Sequence, residues 1–307
     1  GDPAMGFIAK AVVAVVVVLV VRAVLKKVLL KRSRAKFYAN KRVLLTGASA
    51  GIGSAIAREL ASYGAHLTLA ARRKERLVKM AADLKEQWPQ CRVDVVECDV
   101  SVEEQCKRMV EFAVEAMGGI DVLILNAGIG CLLRLSEATD TSSYRQVMDV
   151  NYFGCVYPTF YAMDHLRKSS GTIVVNSSLA GIGWTPGRTA YSASKHALRG
   201  FFNSLRCEEP KVQITTVYPG FVLSEIHDRA LKKEETANLE RDLSNFMTAE
   251  EASELILHAA HAGERDYPLT GLGTFAFYAQ AAMGSIADRI AIKKAAAAFK
   301  NWDKTVG

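Results

Sequence analysis

Tyr191 and Lys195 are the residues whose chemistry asks most of the rest of the chain. They stand four apart in Tyr191-Ser-Ala-Ser-Lys195, and on a helix that spacing turns both side chains to one face. A free phenol carries protons poorly at neutral pH, because it ionises about three pH units above that range. An ammonium held beside it favours phenolate, giving a group that can donate and recover a proton at a reacting oxygen. Tyrosine and lysine also meet at helical spacing by chance in many helices. The pair gains meaning only if other elements bring it a second reactant.

Such a reactant is implied near the amino end of the body. Thr46-Gly47-Ala-Ser49-Ala50-Gly51-Ile52-Gly53 follows an apolar run and opens a helical pattern. In a strand–turn–helix setting, glycines allow the tight turn, and the backbone of this stretch can approach a pyrophosphate at the helix N-terminus. A dinucleotide is therefore expected against Gly47, Ser49, Ala50, Gly51, Ile52 and Gly53. The end of the next apolar run selects the form of cofactor. A carboxylate there would accept from the free ribose 2′-hydroxyl of NAD, whereas arginine favours the 2′-phosphate of NADP. The chain has Ala70-Ala71-Arg72-Arg73 and no acid before Glu75. NADP(H) is expected, with Arg72 the main ligand and Arg73 the second; the plainer reading makes both solvated residues at a helix start.

These residues need a scaffold, and the remaining pattern supplies one. Apolar, β-rich runs lie at 43–46, 66–70, 92–97, 122–126, 172–177 and 213–218. Helical periodicity fills 51–63, 74–87, 102–117, 142–167 and 190–208. Strict alternation predicts an α/β Rossmann fold, a doubly wound parallel sheet with helices on both faces, over residues 40–270. No repeat or low-complexity linker marks a second domain.

From Arg42 to about Leu269 the chain resembles the short-chain dehydrogenase/reductase family, whose signatures are TGxxxGxG, NNAG, a lone Asn, a Ser, and YxxxK. The second appears as Leu125-Asn126-Ala127-Gly128, departing at its first residue. The resemblance implies cofactor contacts by Asn126, Ala127 and Gly128, and by Asp99 and Val100 at the adenine. It also implies contacts by Tyr191 and Lys195, and by Pro219, Gly220, Val222 and Ser224 near the nicotinamide. It assigns Asn151 as the catalytic asparagine, and the family's spacing of thirteen residues to the tyrosine selects Ser178 over Ser177. In the relay so implied, Tyr191 exchanges the proton and Lys195 supports it while holding the nicotinamide ribose. Ser178 donates to the substrate oxygen, and Asn151 anchors a water leading from Lys195 to solvent. Residues 194–203 and the carboxyl-terminal tail are similar to the membrane-bound dehydrogenase/reductase member 7 subgroup, neighbours of the 11-beta-hydroxysteroid dehydrogenases. Those relatives imply a lipophilic ketone or secondary alcohol such as a steroid, a retinoid, a quinone or another lipid. One branch implies acyl-dihydroxyacetone-phosphate reduction instead. A membrane-tethered scaffold that has lost catalysis is the rival of another class, and it should lack Tyr, Lys or Ser; none is missing.

The 307-residue chain carries a formal charge of +7, which raises nucleic acid as a partner, but the charge is local. Residues 1–42 contain ten basic residues and one acid, and the remainder is slightly negative. A basic collar beside an apolar run points to anionic lipid rather than a phosphodiester backbone. Gly1 to Met5 read as a cloning scar, and 6–36 as a membrane anchor with its collar. The strict apolar run Ala11 to Val21 is short, but Gly6 to Leu25 spans a bilayer if Lys10 and Arg22 snorkel. A buried strand or helix is the competing reading. With the cations following the run, the catalytic body is expected on the cytosolic side of an intracellular membrane such as the endoplasmic reticulum. Six cysteines without CxxC spacing read as reduced thiols, and no metal site is expected. Substrate specificity is assigned to 182–189, with Trp184 and Pro186, and to the charged stretch up to Phe246, expected as a helical lid. Residues 271–307 are expected to be a helical tail that lies on the membrane or packs against the core or a second copy, making a homodimer.

Overall fold

The computed structural model describes residues 28–183, 185–223, 225, 230–232, 246–279 and 289. A helix over 28–38 (α1) leads into β1 (Arg42–Thr46), α2 (Gly51–Ser62), β2 (His66–Ala71), α3 (Lys74–Gln87) and β3 (Arg92–Glu97). Then come α4 (Glu103–Met117), β4 (Val122–Leu125), the short β5 (Cys131–Leu132), α5 (Ser142–Met148) and α6 (Gly154–Ser169). The chain continues through β6 (Thr172–Asn176), α7 (Thr189–Glu208), β7 (Gln213–Tyr218), β8 (Leu231–Lys232), α8 (Ala249–Ala262), β9 (Asp266–Pro268) and α9 (Gly271–Ala279).

Seven strands form one parallel sheet in the order β3-β2-β1-β4-β6-β7-β9. The winding reverses between β1 and β4, the position at which parallel α/β sheets open a ligand crevice beyond their carboxyl ends. The central strands are apolar along their whole length because both faces are covered. On β1, Val43 and Leu45 meet the layer of α1, α2, α3 and α8, while Leu44 meets that of α4, α6 and α7.

The helical pattern expected over 142–167 is divided. A wide π-turn at Asp149–Phe153 separates α5 from α6, and Pro158 lies within the first turns of α6. A proline that close to a widened turn removes an N–H from a ladder already interrupted. The lid segment also differs from the helix expected: Leu231 and Lys232 form a strand paired in parallel with β5, and most of 224–245 lies outside the described residues.

Helix α1 is docked on the sheet's helical layer, so the collar boundary at residue 36 falls inside the folded body. Arg34 is 3% exposed; its Nη2 lies 2.9 Å from Glu254 and 3.6 Å from Glu59. The Tyr38 hydroxyl donates to the Leu257 carbonyl at 3.0 Å. The apolar run Gly6 to Leu25 lies outside the described residues, and among those described no helix is long and apolar enough to cross a membrane. In α9, Phe277 packs on Tyr218 at 5.5 Å between ring centroids, whereas Phe275 and Tyr278 are exposed. All six cysteines are free thiols, five of them buried.

Candidate active site

The site is assembled from strand ends. Gly47 adopts φ +67°, which glycine enters without steric cost. Any Cβ on it would stand 2.8 Å from the Ala127 backbone. One turn later a Cβ on Gly53 would stand 2.2 Å from the Gly47 carbonyl oxygen and 2.6 Å from Asn126 Nδ2. Gly53 is buried and does not line the crevice. The missing side chain gives Gly53 a packing role, letting α2 press its uncapped N-terminus against the turn.

A ladder of hydrogen bonds ties this turn to the lysine. Thr46 Oγ1 accepts the N–H groups of Asn126 at 3.1 Å and Ala127 at 3.2 Å. Asn126 Nδ2 donates to the carbonyls of Thr46 and Gly47 at 3.2 and 3.1 Å. Asn176 Nδ2 donates to Asn126 Oδ1 at 2.8 Å, and the Asn176 carbonyl accepts from Lys195 Nζ at 2.9 Å. The carboxyl ends of β1, β4 and β6 thus hold Lys195 in register with the glycine turn. Its ammonium is 5.7 Å from the centroid of the Tyr191 ring. Both residues are buried, at 7% and 4% exposure, where a charge acts on its neighbour with little screening.

The π-turn positions the remaining members. Asn151, fully buried, accepts from the Ile129 N–H at 2.8 Å and donates to the Ile129 carbonyl at 3.1 Å and to Ser194 Oγ at 3.1 Å. Ser194 in turn donates to the Tyr191 carbonyl at 2.7 Å. The Asn151 side chain thus braces the crevice floor and the first turn of α7, with both amide protons used in doing so. Ser178 Oγ accepts from the Ala180 N–H at 3.2 Å, which leaves its own proton for donation. Ser177, which lines the same hollow, donates to the Lys195 carbonyl at 3.4 Å.

Two connected hollows share Ile52, Asn126, Gly128 and Asn176. The larger, about 270 Å³, is lined by Gly47, Ser49, Ala50, Gly51, Arg72, Arg73, Asp99, Val100 and Ala127, as expected for cofactor contacts. The smaller, about 160 Å³, is lined by Ser178, Tyr191, Lys195, Pro219, Gly220 and Val222, with Thr185 and Arg188 of the predicted specificity loop. Trp184 and Ser224 lie outside the described residues. An elongated molecule with a glycine-turn contact at one end and a reactive group at the other fits this pair of hollows. Asn176 Oδ1 is buried without a hydrogen-bond partner in their shared wall, where a ligand N–H or hydroxyl would satisfy it.

The thiols near the site shift in opposite directions, the hydrogen bond with Cys106 lowering Cys98. Burial pushes Cys155 up to about 11, against the pull of Lys195. A hydrogen bond with Cys98, reinforced by burial, pushes Cys106 up as well.

A sequence model of the family described as short chain dehydrogenase matches residues 41–235, well over half of the chain. The chain belongs to this family. It is 40% identical over 267 residues to a dehydrogenase/reductase SDR family protein 7-like of Dictyostelium discoideum, covering 86% of this chain and 84% of that one. It is 39% identical over 235 residues to 11-beta-hydroxysteroid dehydrogenase A of Sesamum indicum, covering 74% and 67%. Solved dehydrogenases share the fold. An alcohol dehydrogenase from Thermococcus sibiricus, complexed with 5-hydroxy-NADP, aligns with a TM-score of 0.64 at 27% identity, over 74% of this chain and 93% of that one. A Burkholderia phymatum member in complex with NAD aligns with a TM-score of 0.72 at 24% identity, over 81% and 95%. The expected family and subgroup likeness are both met, and this short chain dehydrogenase is an oxidoreductase of CH–OH and C=O groups with a nicotinamide-cofactor fold.

Sequence reasoning did not single out Asn176 or Ser194 as positioning residues, nor Arg76 and Glu225. Asn176 and Ser194 stand inside recognised motifs, but their bonds depend on which strand ends become neighbours. Arg76 and Glu225 are 149 residues apart and meet only in the fold.

Proposed function

We propose that the protein is an NADPH-dependent carbonyl reductase and hydroxyl dehydrogenase acting on a lipophilic ketone or secondary alcohol of steroid, retinoid or other lipid type. The observation that carries this reading is the Lys195 ammonium, held by the Asn176 carbonyl 5.7 Å from the Tyr191 ring centroid, both side chains lining the smaller hollow. The glycine turn, Asp99, Val100, Asn126, Ala127 and Gly128 would hold the dinucleotide. Lys195, Pro219, Gly220 and Val222 would surround its reactive end. When bound, the nicotinamide supplies or accepts hydride.

The chain's own groups handle the oxygen. In reduction Tyr191 gives its hydroxyl proton to the substrate oxygen, and the Lys195 charge stabilises the phenolate left behind. Ser178 donates to the same oxygen, stabilising charge that grows there. Asn151 and Ser194 act through position, fixing Ile129 and the Tyr191 backbone. Arginines at the end of β2, with no carboxylate beside them before Glu75, support NADP(H) over NAD. The apolar lining contributed by Leu179, Ala180, Phe221 and Val222 supports a lipophilic substrate.

We further propose that Gly6 to Leu25 anchor the protein in an intracellular membrane, the endoplasmic reticulum being the expected one, with the catalytic body toward the cytosol, and that the exposed Phe275 and Tyr278 of α9 meet lipid or a second copy. The deciding experiment is a panel of lipid carbonyls assayed for NADPH and NADH consumption, with Tyr191→Phe as control. Turnover with NADPH that disappears in the variant supports the reading. Equal rates with both cofactors, or full turnover by Tyr191→Phe, would overturn it.

A further inference from the structure

At the adenosine end of the larger hollow, a carboxylate of this chain sits where the arginines are. Glu225 Oε2 accepts from Arg73 Nη1 at 3.0 Å, and Glu225 Oε1 accepts from Arg76 Nη1 at 2.9 Å. Arg73 Nη2 donates onward to Ser49 Oγ at 3.1 Å, within the glycine turn. Glu225, Arg73 and Ser49 all line the same hollow. Arg72, by contrast, is 62% exposed in its side chain and leans toward Asp99 at 3.9 Å. The strong cationic cradle is therefore made by Arg73 and Arg76 with Ser49, and its occupant is a carboxylate from the opposite wall.

Two oxygens on two guanidinium groups, with a hydroxyl alongside, form a set of donors that suits a phosphate monoester better than a carboxylate. A phosphate offers three acceptor oxygens and nearly twice the charge. We infer that Glu225 is an internal stand-in for the 2′-phosphate of the cofactor, that the two compete for Arg73 and Arg76, and that Arg76 is a determinant of cofactor choice. This rests on the NADP(H) reading and adds to it a named competitor. A like-charged carboxylate left in place beside the incoming phosphate would repel it, so the phosphate must displace Glu225 and its affinity is lowered by that exchange.

The placement of Glu225 gives the exchange a second consequence. Leu223 N donates to the Met247 carbonyl at 2.9 Å and Met247 N donates to the Phe221 carbonyl at 3.1 Å. Phe221 and Val222 line the reactive hollow. Leu223 of this bridge stands two positions before Glu225, so one short length of chain touches both hollows. A cofactor bearing the 2′-phosphate severs the outer attachment of that length, whereas one lacking it leaves the attachment intact. Linkage then requires the reciprocal effect, weaker hold of Glu225 whenever the phosphate is bound.

The test uses the full chain and two probes, adenosine 2′,5′-bisphosphate and 5′-AMP, titrated calorimetrically against wild type, Glu225→Gln, Arg76→Gln and the double variant. Glu225→Gln keeps the side-chain shape, and Glu225→Ala serves as a second variant should the first fold poorly. The expected result is that Glu225→Gln binds the bisphosphate about tenfold more tightly and 5′-AMP within about twofold of wild type. Arg76→Gln should weaken the bisphosphate severalfold and shrink the gain from Glu225→Gln in the double variant. An unchanged bisphosphate affinity in Glu225→Gln and Glu225→Ala, or an equal gain for 5′-AMP, overturns the competition while leaving the cofactor reading in place if wild type still prefers the bisphosphate. Wild type and Glu225→Gln binding both probes equally would instead overturn the NADP(H) reading, and the competition with it.

Discussion

Asn151 grips Ile129 by both edges of its amide, accepting from its N–H at 2.8 Å and donating to its carbonyl at 3.1 Å. This is the pairing a neighbouring strand would provide, made instead by one side chain inside a π-turn. It closes the floor of the crevice just past Gly128, where a Cβ would stand 3.2 Å from Asn151 Oδ1 and 3.8 Å from Lys195 Nζ. Replacing Asn151 by leucine should take from both Ile129 backbone groups the partners that Asn151 supplies, and from Ser194 Oγ the one donor it accepts from, leaving its bond to the Tyr191 carbonyl. The expected cost is about 2–4 kcal/mol, read from the urea midpoint at constant m-value, with activity falling in parallel. An Asn151→Leu variant as stable as wild type would remove the bracing role.

Tyr191→Phe removes one oxygen from a residue that is 7% exposed and keeps the ring against Lys195. Turnover should fall about 10²- to 10⁴-fold while dinucleotide affinity stays within about threefold. Stopped-flow reduction and equilibrium binding separate the two quantities. A variant that loses affinity as much as rate would make the tyrosine a binding residue rather than the proton carrier.

Two glycines should respond with opposite signs. A methyl on Gly53 meets the Gly47 carbonyl at 2.2 Å, so Gly53→Ala must lift α2 from the turn, costing about 1–3 kcal/mol and weakening dinucleotide binding. Gly200 lies within α7 with no atom within 4 Å of the added Cβ. Gly200→Ala should raise stability by about 0.5–1 kcal/mol, because alanine gives up less backbone freedom in a helix. Thermal melts of the two variants check both signs.

Arg42 and Asp121 close the amino ends of β1 and β4, with Arg42 Nη2 2.6 Å from Asp121 Oδ1 and the Arg42 backbone N–H 2.9 Å from Oδ2. Burial alone would raise the Asp121 carboxyl, but the side-chain and backbone hydrogen bonds from Arg42 outweigh it and hold the group below the usual carboxylate range. A carboxyl depressed by folding contributes stability that is complete above its unfolded value, about 3.9, and is lost as the pH falls below it. Asp121→Asn should therefore cost about 1–3 kcal/mol at pH 7, the pair being partly exposed. The gap to wild type should narrow in acid below about pH 4, and a gap independent of pH would refute the assignment.

Much of this was legible because local and global signals agree. The turn from Thr46 to Gly53 lies between an apolar run and a helical pattern, and Tyr191 and Lys195 share one helical face, so periodicity alone puts them on elements of the right kind. Ser178 is set apart from Ser177 only by the family's spacing, and in the fold Ser177 donates to the Lys195 carbonyl while Ser178 accepts from the Ala180 N–H. What escaped depends on distant segments. Gly53 looks like its neighbours in the motif, and only the approach of Asn126 makes it a packing glycine. Arg72 ranks ahead of Arg73 in the sequence because nothing there shows that Glu225 meets Arg73 and Arg76. The π-turn leaves no mark in a pattern that stays amphipathic through it. Residues 28–36 read as a lipid-facing collar because charge counts cannot show that Arg34 is buried between Glu59 and Glu254.

That buried arginine decides how α1 meets the catalytic body. With Arg34 clasped by two carboxylates and Tyr38 bonded to α8, α1 is keyed to the catalytic body at two successive turns. Rolling the helix about its axis would break both attachments together, so its heading is set by the body it rests on, as a key's is by its lock.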